Sequence, residues 1–219
     1  MDLLMNDKRL TVVKVMQNLF VVTLLLIVVT ACSSDDDNDS QTTIFTNGSM
    51  QELRAFYNDG FVDALVNLGF TFNLGNTPPN IEGTYIIDPF ILDSTTDPSR
   101  MGHEGEDFGS HIPSFSNQNN NELTIDYLGQ SGGGGQTDIG KGSFIMGSNG
   151  AFSVFTKNNT KIGNITAITA VVISGFIASN GIEDIQFVGA MLDNKGNQIL
   201  IDNNTGSLYV DGDGFATKQ

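Results

Sequence analysis

The sequence predicts a mainly β protein: one N-terminal amphipathic helix, then an antiparallel meander of about eight strands closed as a barrel or folded as a sandwich. Three observations carry this. Apolar residues recur at helical spacing only between residues 49 and 69. Downstream the apolar period is two, and breaks rich in Asn and Gly fall between the runs. No helical pattern separates one run from the next, so sequential strands pair as neighbours, and such a sheet avoids open edges by closing or doubling.

The helix is read from Ser49-Met50-Gln51-Glu52, which has the form of a capping box, with Ser49 as N-cap and Glu52 reaching back. Leu53, Phe56, Tyr57, Phe61, Ala64, Leu65 and Leu68 then form one apolar face, and Gly69 suits the left-handed position that ends a helix. The expectation is one helix of about 20 residues, weakened in its middle by Gly60, that flanks the main core or binds a partner. Strands are expected near 83–90, 108–115, 122–128, 140–146, 151–157, 165–178, 185–193, 198–201 and 207–210. Turn chemistry sits at Asn149-Gly150, Asn158-Asn159, Asn180-Gly181, Asn194-Lys195-Gly196 and Asn203-Asn204-Thr205-Gly206. The stretch 162–176 is apolar on both faces, which predicts burial on both sides of the sheet, with one face toward the helix and the other toward a barrel interior that is either filled or hollow. Two polar segments, 93–107 and 130–138, are long for connections in a compact domain and would form the mouth of a barrel.

Composition excludes several classes. The 219 residues carry 25 acids against 10 Lys and Arg, a formal net charge of −15, so no basic face exists to neutralise nucleic-acid phosphates or anionic lipid. The single cysteine rules out an internal disulfide and a multi-thiolate metal site. No Gly-x-Ser-x-Gly elbow and no phosphate-binding Gly loop followed by Lys-Ser/Thr is present, so the chain is read as no enzyme, although spatially paired carboxylates are invisible at this level. With no Trp and four Tyr, only Tyr57, Tyr85, Tyr127 and Tyr209 are candidates for a sugar-stacking platform.

The first residues carry an address. Lys8, Arg9 and Lys14 precede an apolar run from Leu19 to Ala31, too short for a bilayer-spanning helix of about 20 residues, which has the form of a secretory signal. It ends Val29-Thr30-Ala31-Cys32, which resembles the lipobox of bacterial lipoproteins, where cleavage precedes a cysteine that receives diacylglycerol and an acyl chain such as palmitate. Ser33-Ser34-Asp35-Asp36-Asp37 then resembles the export signal that sends Bacteroidetes lipoproteins to the outer face of the outer membrane. The expected organisation is a signal peptide over 1–31, a lipidated Cys32 with an acidic tether over 32–47, and one domain over 48–217. Acyl chains supply ~0.8 kcal/mol per buried CH₂, so the anchor needs no help from the protein surface.

The helix, the Pro78-Pro79 turn, Ile81-Glu82-Gly83-Thr84-Tyr85 and the Asp211-Gly212-Asp213-Gly214 ending together resemble a group of Bacteroidetes surface lipoproteins, a likeness that brings no known activity. Ile-x-Gly-x-Tyr also resembles the Gly-x-Trp start of lipocalin and calycin barrels, which implies that Tyr85 plugs a closed end.

Candidate metal ligands are His103 and His111, two imidazoles among carboxylates, whose spacing fits no helical or single-strand zinc pair; an acidic loop with incidental imidazoles fits as well. Asp211 and Asp213 alternate with Gly like the opening of a calcium loop, but the remaining ligands are absent, so calcium would need Asp184 or Asp193 from elsewhere; otherwise the segment is a plain turn. Asp93-Ser94-Thr95 has the form of a Bacteroidetes O-glycosylation acceptor, expected in an exposed loop. The expected function is a non-enzymatic cell-surface lipoprotein that binds a small apolar or amphipathic ligand. The alternative is an interaction or accessory module of an outer-membrane uptake or glycan-handling complex, with a protein or glycan partner.

Overall fold

Ser49 caps the first helix as its sequence requires: its hydroxyl accepts from Glu52 N–H and the Glu52 carboxylate accepts from Ser49 N–H at 3.1 Å. In the computed structural model, residues 45–132, 137–162 and 165–219 are described, 161 and 162 by backbone only. The signal segment, Cys32 and Ser33 to Asp37 lie outside the described residues. The fold begins earlier than expected. Phe45 is 3% exposed and stacks on Phe144 at 3.7 Å between ring centroids, and the Thr46 and Asn47 N–H groups donate to Glu52. Residues 45–47 therefore belong to the domain, because the Phe45 ring and the Glu52 carboxylate bind them to it.

One helix becomes two, α1 (Met50–Phe56) and α2 (Asp59–Asn67). Asn58 is extended and its carboxamide accepts from Phe61 N–H at 2.8 Å, so it starts a new helix where the apolar pattern suggested continuity. Gly69 sits at φ +83° beyond α2, as expected.

Eleven strands follow: β1 (Gly83–Ile86), β2 (Phe90–Thr95), β3 (His111–Asn119), β4 (Thr124–Ser131), β5 (Thr137–Ser148), β6 (Ala151–Phe155), β7 (Asn158–Ile162), β8 (Ile165–Ala178), β9 (Gly181–Asp193), β10 (Gly206–Asp211) and β11 (Phe215–Lys218). All their ladders are antiparallel, and the β8–β9 pairing closes the ring β9-β11-β1-β3-β4-β5-β6-β8. The protein is an eight-stranded antiparallel barrel. The three additional strands continue barrel strands: β6 and β7 share one register along β8, and β10 pairs with β9 beyond the stretch that β11 occupies, with β2 alongside β10.

Several boundaries move. Asn158-Asn159 opens β7 instead of breaking the chain. The expected strand 198–201 is absent, because Asp193, Asn194 and Asn197 side chains accept the N–H groups of Lys195, Gly196 and Ile199, which satisfies the backbone locally and leaves Ile199 84% exposed. Asn149-Gly150, at φ +54° and +86°, makes the two-residue β5–β6 turn. Of the segment 130–138, residues 130–131 end β4 and 137–138 begin β5, and 133–136 lie outside the described residues.

The core has two sides. Inward residues Tyr85, Phe115, Tyr127, Phe152, Ile173 and Phe187 pack on one another within the barrel. Outside, Leu53, Phe61 and Leu65 of the helices pack on Phe144, Phe155, Val172, Val188 and Leu208. β8 serves both, with Val171 and Ile173 inward and Ala170 and Val172 under the helices, which accounts for its doubly apolar sequence. Among the described residues no helix is long and apolar enough to cross a membrane.

Candidate functional site

Antiparallel register places the ends of β2, β4 and β9 and the starts of β3, β5 and β10 at one end of the barrel. Aromatic rings pack in the core beside the start of β3. Phe90 stacks on Tyr209 at 4.3 Å, and His111 lies between Phe90 at 5.4 Å and Phe187 at 4.4 Å. The Arg100 guanidinium covers Phe108 from outside at 5.0 Å, steadied by Asp97 at 3.6 Å. Segment 105–108 returns along β2, exchanging backbone hydrogen bonds with Phe90 and Leu92, so the predicted mouth loop is in part a ladder. Tyr85 is buried where β1 begins, at the opposite end, and its hydroxyl donates to Ile81 O at 3.0 Å.

The sequence-predicted metal ligands do not converge. His111 is a core histidine: the Tyr127 hydroxyl and its Nε2 are 3.1 Å apart, and burial lowers its pKa to about 4. Burial also pushes the Tyr127 phenol well above its ordinary pKa, so the two groups meet as a neutral phenol and a neutral imidazole. His103 lies in the exposed 97–106 turn, with Nδ1 3.0 Å from Glu106. The Asp211 carboxylate accepts from Asp213 and Asp88 N–H, and Asp213 accepts from Phe215 N–H, which is turn chemistry. Asp193 pairs instead with Lys195 at 2.7 Å. Among the described residues no group of three or more His, Cys, Asp or Glu side chains is placed to hold a metal ion. Ser94 is in β2 and not in an exposed loop, and its hydroxyl donates to Leu68 O at 2.6 Å. All four tyrosines are buried and offer no surface platform.

A different place holds volume. On the outer face, a groove of about 360 Å³ runs between the chain leaving α2 and the turn that joins β10 to β11. Its origin is a bulge. Ser174 faces Gln186, yet Phe176 faces Glu183, so β9 has one residue more than β8 across this stretch. Asp184 absorbs the excess at φ +50° and donates its N–H to Gly214 O at 3.1 Å, tying β9 to the turn. On the other flank the Gln186 carboxamide accepts from Thr71 N–H at 2.7 Å and from Ser174 Oγ at 3.3 Å, and donates to Gly69 O at 3.3 Å. The Asn73 carboxamide donates to Phe152 O at 2.9 Å.

These bonds fix both walls. Phe176, 44% exposed, and Val210 supply apolar surface, while Asp184 supplies an acceptor. Asp211 is 5% exposed; burial first, and then the neighbouring Asp213 side chain, hold its pKa above the ordinary carboxylate value. Sequence reading missed the groove, since a bulge is invisible in an alternating pattern. A trace of it is Phe176, a large apolar residue that is 44% exposed and has no helix among the described residues packed on it. The chain matches no protein-family model, no curated protein and no solved structure.

Proposed function

We propose that the protein is a non-enzymatic, lipid-anchored module of the outer-membrane surface that binds a small amphipathic ligand in the outer groove. The observation that carries the binding reading is the groove itself: about 360 Å³, within the range of small-molecule sites, with apolar and acceptor walls already held by hydrogen bonds. The inward side chains of the barrel pack on one another, so the ligand is assigned to the outside of the sheet. The anchor and its outward orientation rest on Cys32 and the acidic run after it.

Native mass spectrometry of the lipid-free chain from Ser33 onward, compared with the denatured mass, tests the binding. A mass excess that extracts as a small molecule, and is lost on Phe176→Asp, supports the groove. A bare polypeptide mass favours the accessory-module alternative. Incorporation of labelled palmitate into the full chain, lost on Cys32→Ala, checks the anchor, and an unlabelled wild-type chain would refute it.

A further inference from the structure

We infer that the Asn149-Gly150 turn is the folded chain's preferred site of deamidation, in which the Asn149 carboxamide becomes an aspartate or isoaspartate carboxylate and the change reaches the wall of the outer groove. Nothing in this depends on the groove holding a ligand. The chemistry needs a carboxamide that no hydrogen bond holds, a following backbone N–H free to attack it, and a chain that can turn to bring the two together. Glycine suits the second position because it has no side chain to obstruct the attack. The chain has three Asn-Gly pairs, at Asn47, Asn149 and Asn180, and the fold sets them apart. The Asn47 N–H and carboxamide donate to Glu52 and Thr46, and Gly48 is buried with its carbonyl accepting from Gly75 N–H at 2.8 Å. A Cβ at Gly48 would run into the Gly75 carbonyl, so that peptide is pinned. Asn180 is exposed, but Gly181 is buried between Ala178 and Thr217 at the start of β9, and Asn180 O accepts from Lys218 N–H at 2.8 Å. Asn149 is exposed, its carboxamide and the Gly150 N–H have no partner among the described residues, and open space stands where Gly150 would carry a Cβ. The turn must leave its positive φ angles for the attack, and a two-residue hairpin tip opens at low cost because few buried contacts hold it.

The step balances with water alone. Gly150 N gives its proton to water and bonds to Asn149 Cγ, the Cγ–Nδ2 bond breaks, and ammonia leaves with the proton that water returns. A second water opens the resulting imide at Cγ, which yields aspartate, or at the Asn149 main-chain carbonyl carbon, which yields isoaspartate. Either product gains one mass unit and one negative charge, and isoaspartate adds a carbon to the main chain of the turn. Gly150 O accepts from Ile177 N–H at 2.9 Å and Ala151 stands opposite Phe176, so the lengthened turn displaces the strand end beside the groove.

The test holds the chain from Ser33 onward in mildly alkaline buffer, folded and in urea, and follows each Asn-Gly pair by peptide mapping and mass spectrometry. In the folded protein Asn149 is expected to convert about tenfold faster than Asn47 or Asn180, and in urea the three rates should fall within about twofold of one another. The Phe176 and Ile177 amide shifts should move in the isoaspartate form and much less in Asn149→Asp, since aspartate keeps a two-residue turn and suits positive φ. Conversion of Asn47 or Asn180 as fast as Asn149 in the folded protein would overturn the assignment. A lead of Asn149 that persists in urea would overturn it as well, because sequence and not fold would then set the rate. Unmoved Phe176 and Ile177 amides would overturn the reach to the groove.

Discussion

Acid should reach the fold through His111. Its imidazole lies among Phe90, Phe187 and Tyr127 inside the barrel, and its pKa falls from 6.5 to about 4 because burial opposes the charged form. For a base whose pKa is lower folded than unfolded, the stabilisation is complete above the unfolded value and is lost as the pH falls toward the folded one. Linkage then gives a loss of about 1.4 kcal/mol by about pH 5.5 and about 3 kcal/mol by about pH 4 from this residue alone. Glu52 and Asp126, whose pKa values are lowered, also lose stability in acid, whereas Asp211, whose pKa is raised, contributes in the opposite sense. A paired comparison removes these shared terms. Urea unfolding of the wild type and of His111→Gln, which keeps a hydrogen-bond acceptor for Tyr127, should be measured at about pH 7.5, 5.5 and 4. The wild type should lose about 3 kcal/mol more than the variant between the extremes. Parallel pH profiles would refute the assignment of His111 as a buried neutral base.

Other expectations follow from the packing. Phe45→Ala removes a ring stacked on Phe144 and should cost about 3 kcal/mol in urea unfolding, while a negligible effect would return residues 45–47 to the tether. A Cβ on Gly129 would collide with the Tyr127 hydroxyl, so Gly129→Ala should destabilise by about 1–3 kcal/mol and raise the His111 pKa in an NMR titration. Asn158 is 4% exposed and neither amide atom has a partner among the described residues, so Asn158→Leu should be neutral or stabilise by about 1 kcal/mol. A clear destabilisation by Asn158→Leu would show that an internal water or another guest satisfies the amide. Ser49→Ala should cost about 1 kcal/mol through loss of the α1 cap, read from the same unfolding curves.

Local chemistry was legible without coordinates. The Ser49 and Glu52 box, the left-handed Gly69, the Asn149-Gly150 turn and the two-faced burial of β8 follow from side chains that act within a few residues, or from a period that a reader can count. The antiparallel run β3-β4-β5-β6 also follows, because sequential strands without crossover helices have few other ways to pair, whereas the full strand order and the choice between a closed and a doubled sheet did not. Where local rules compete the reading failed: Asn58 split a continuous apolar stripe by capping a second helix, and the Asx turns after Asp193 took the backbone donors that a strand over 198–201 would have used.

Closure itself depended on contacts between residues far apart in the chain. Only the tertiary structure placed β11 between β9 and β1, buried His111 under two rings and sent His103 to an exposed turn. The groove is of the same kind. It exists because one surplus residue at Asp184 shifts the register of β9 against β8 while the chain at 69–73 and the turn after Asp211 are bonded to either side. Sequence thus determined which faces must be buried and where the chain turns, since those are short-range demands of apolar area and backbone hydrogen bonds. Which faces meet, and what space is left between them, was decided by long-range packing.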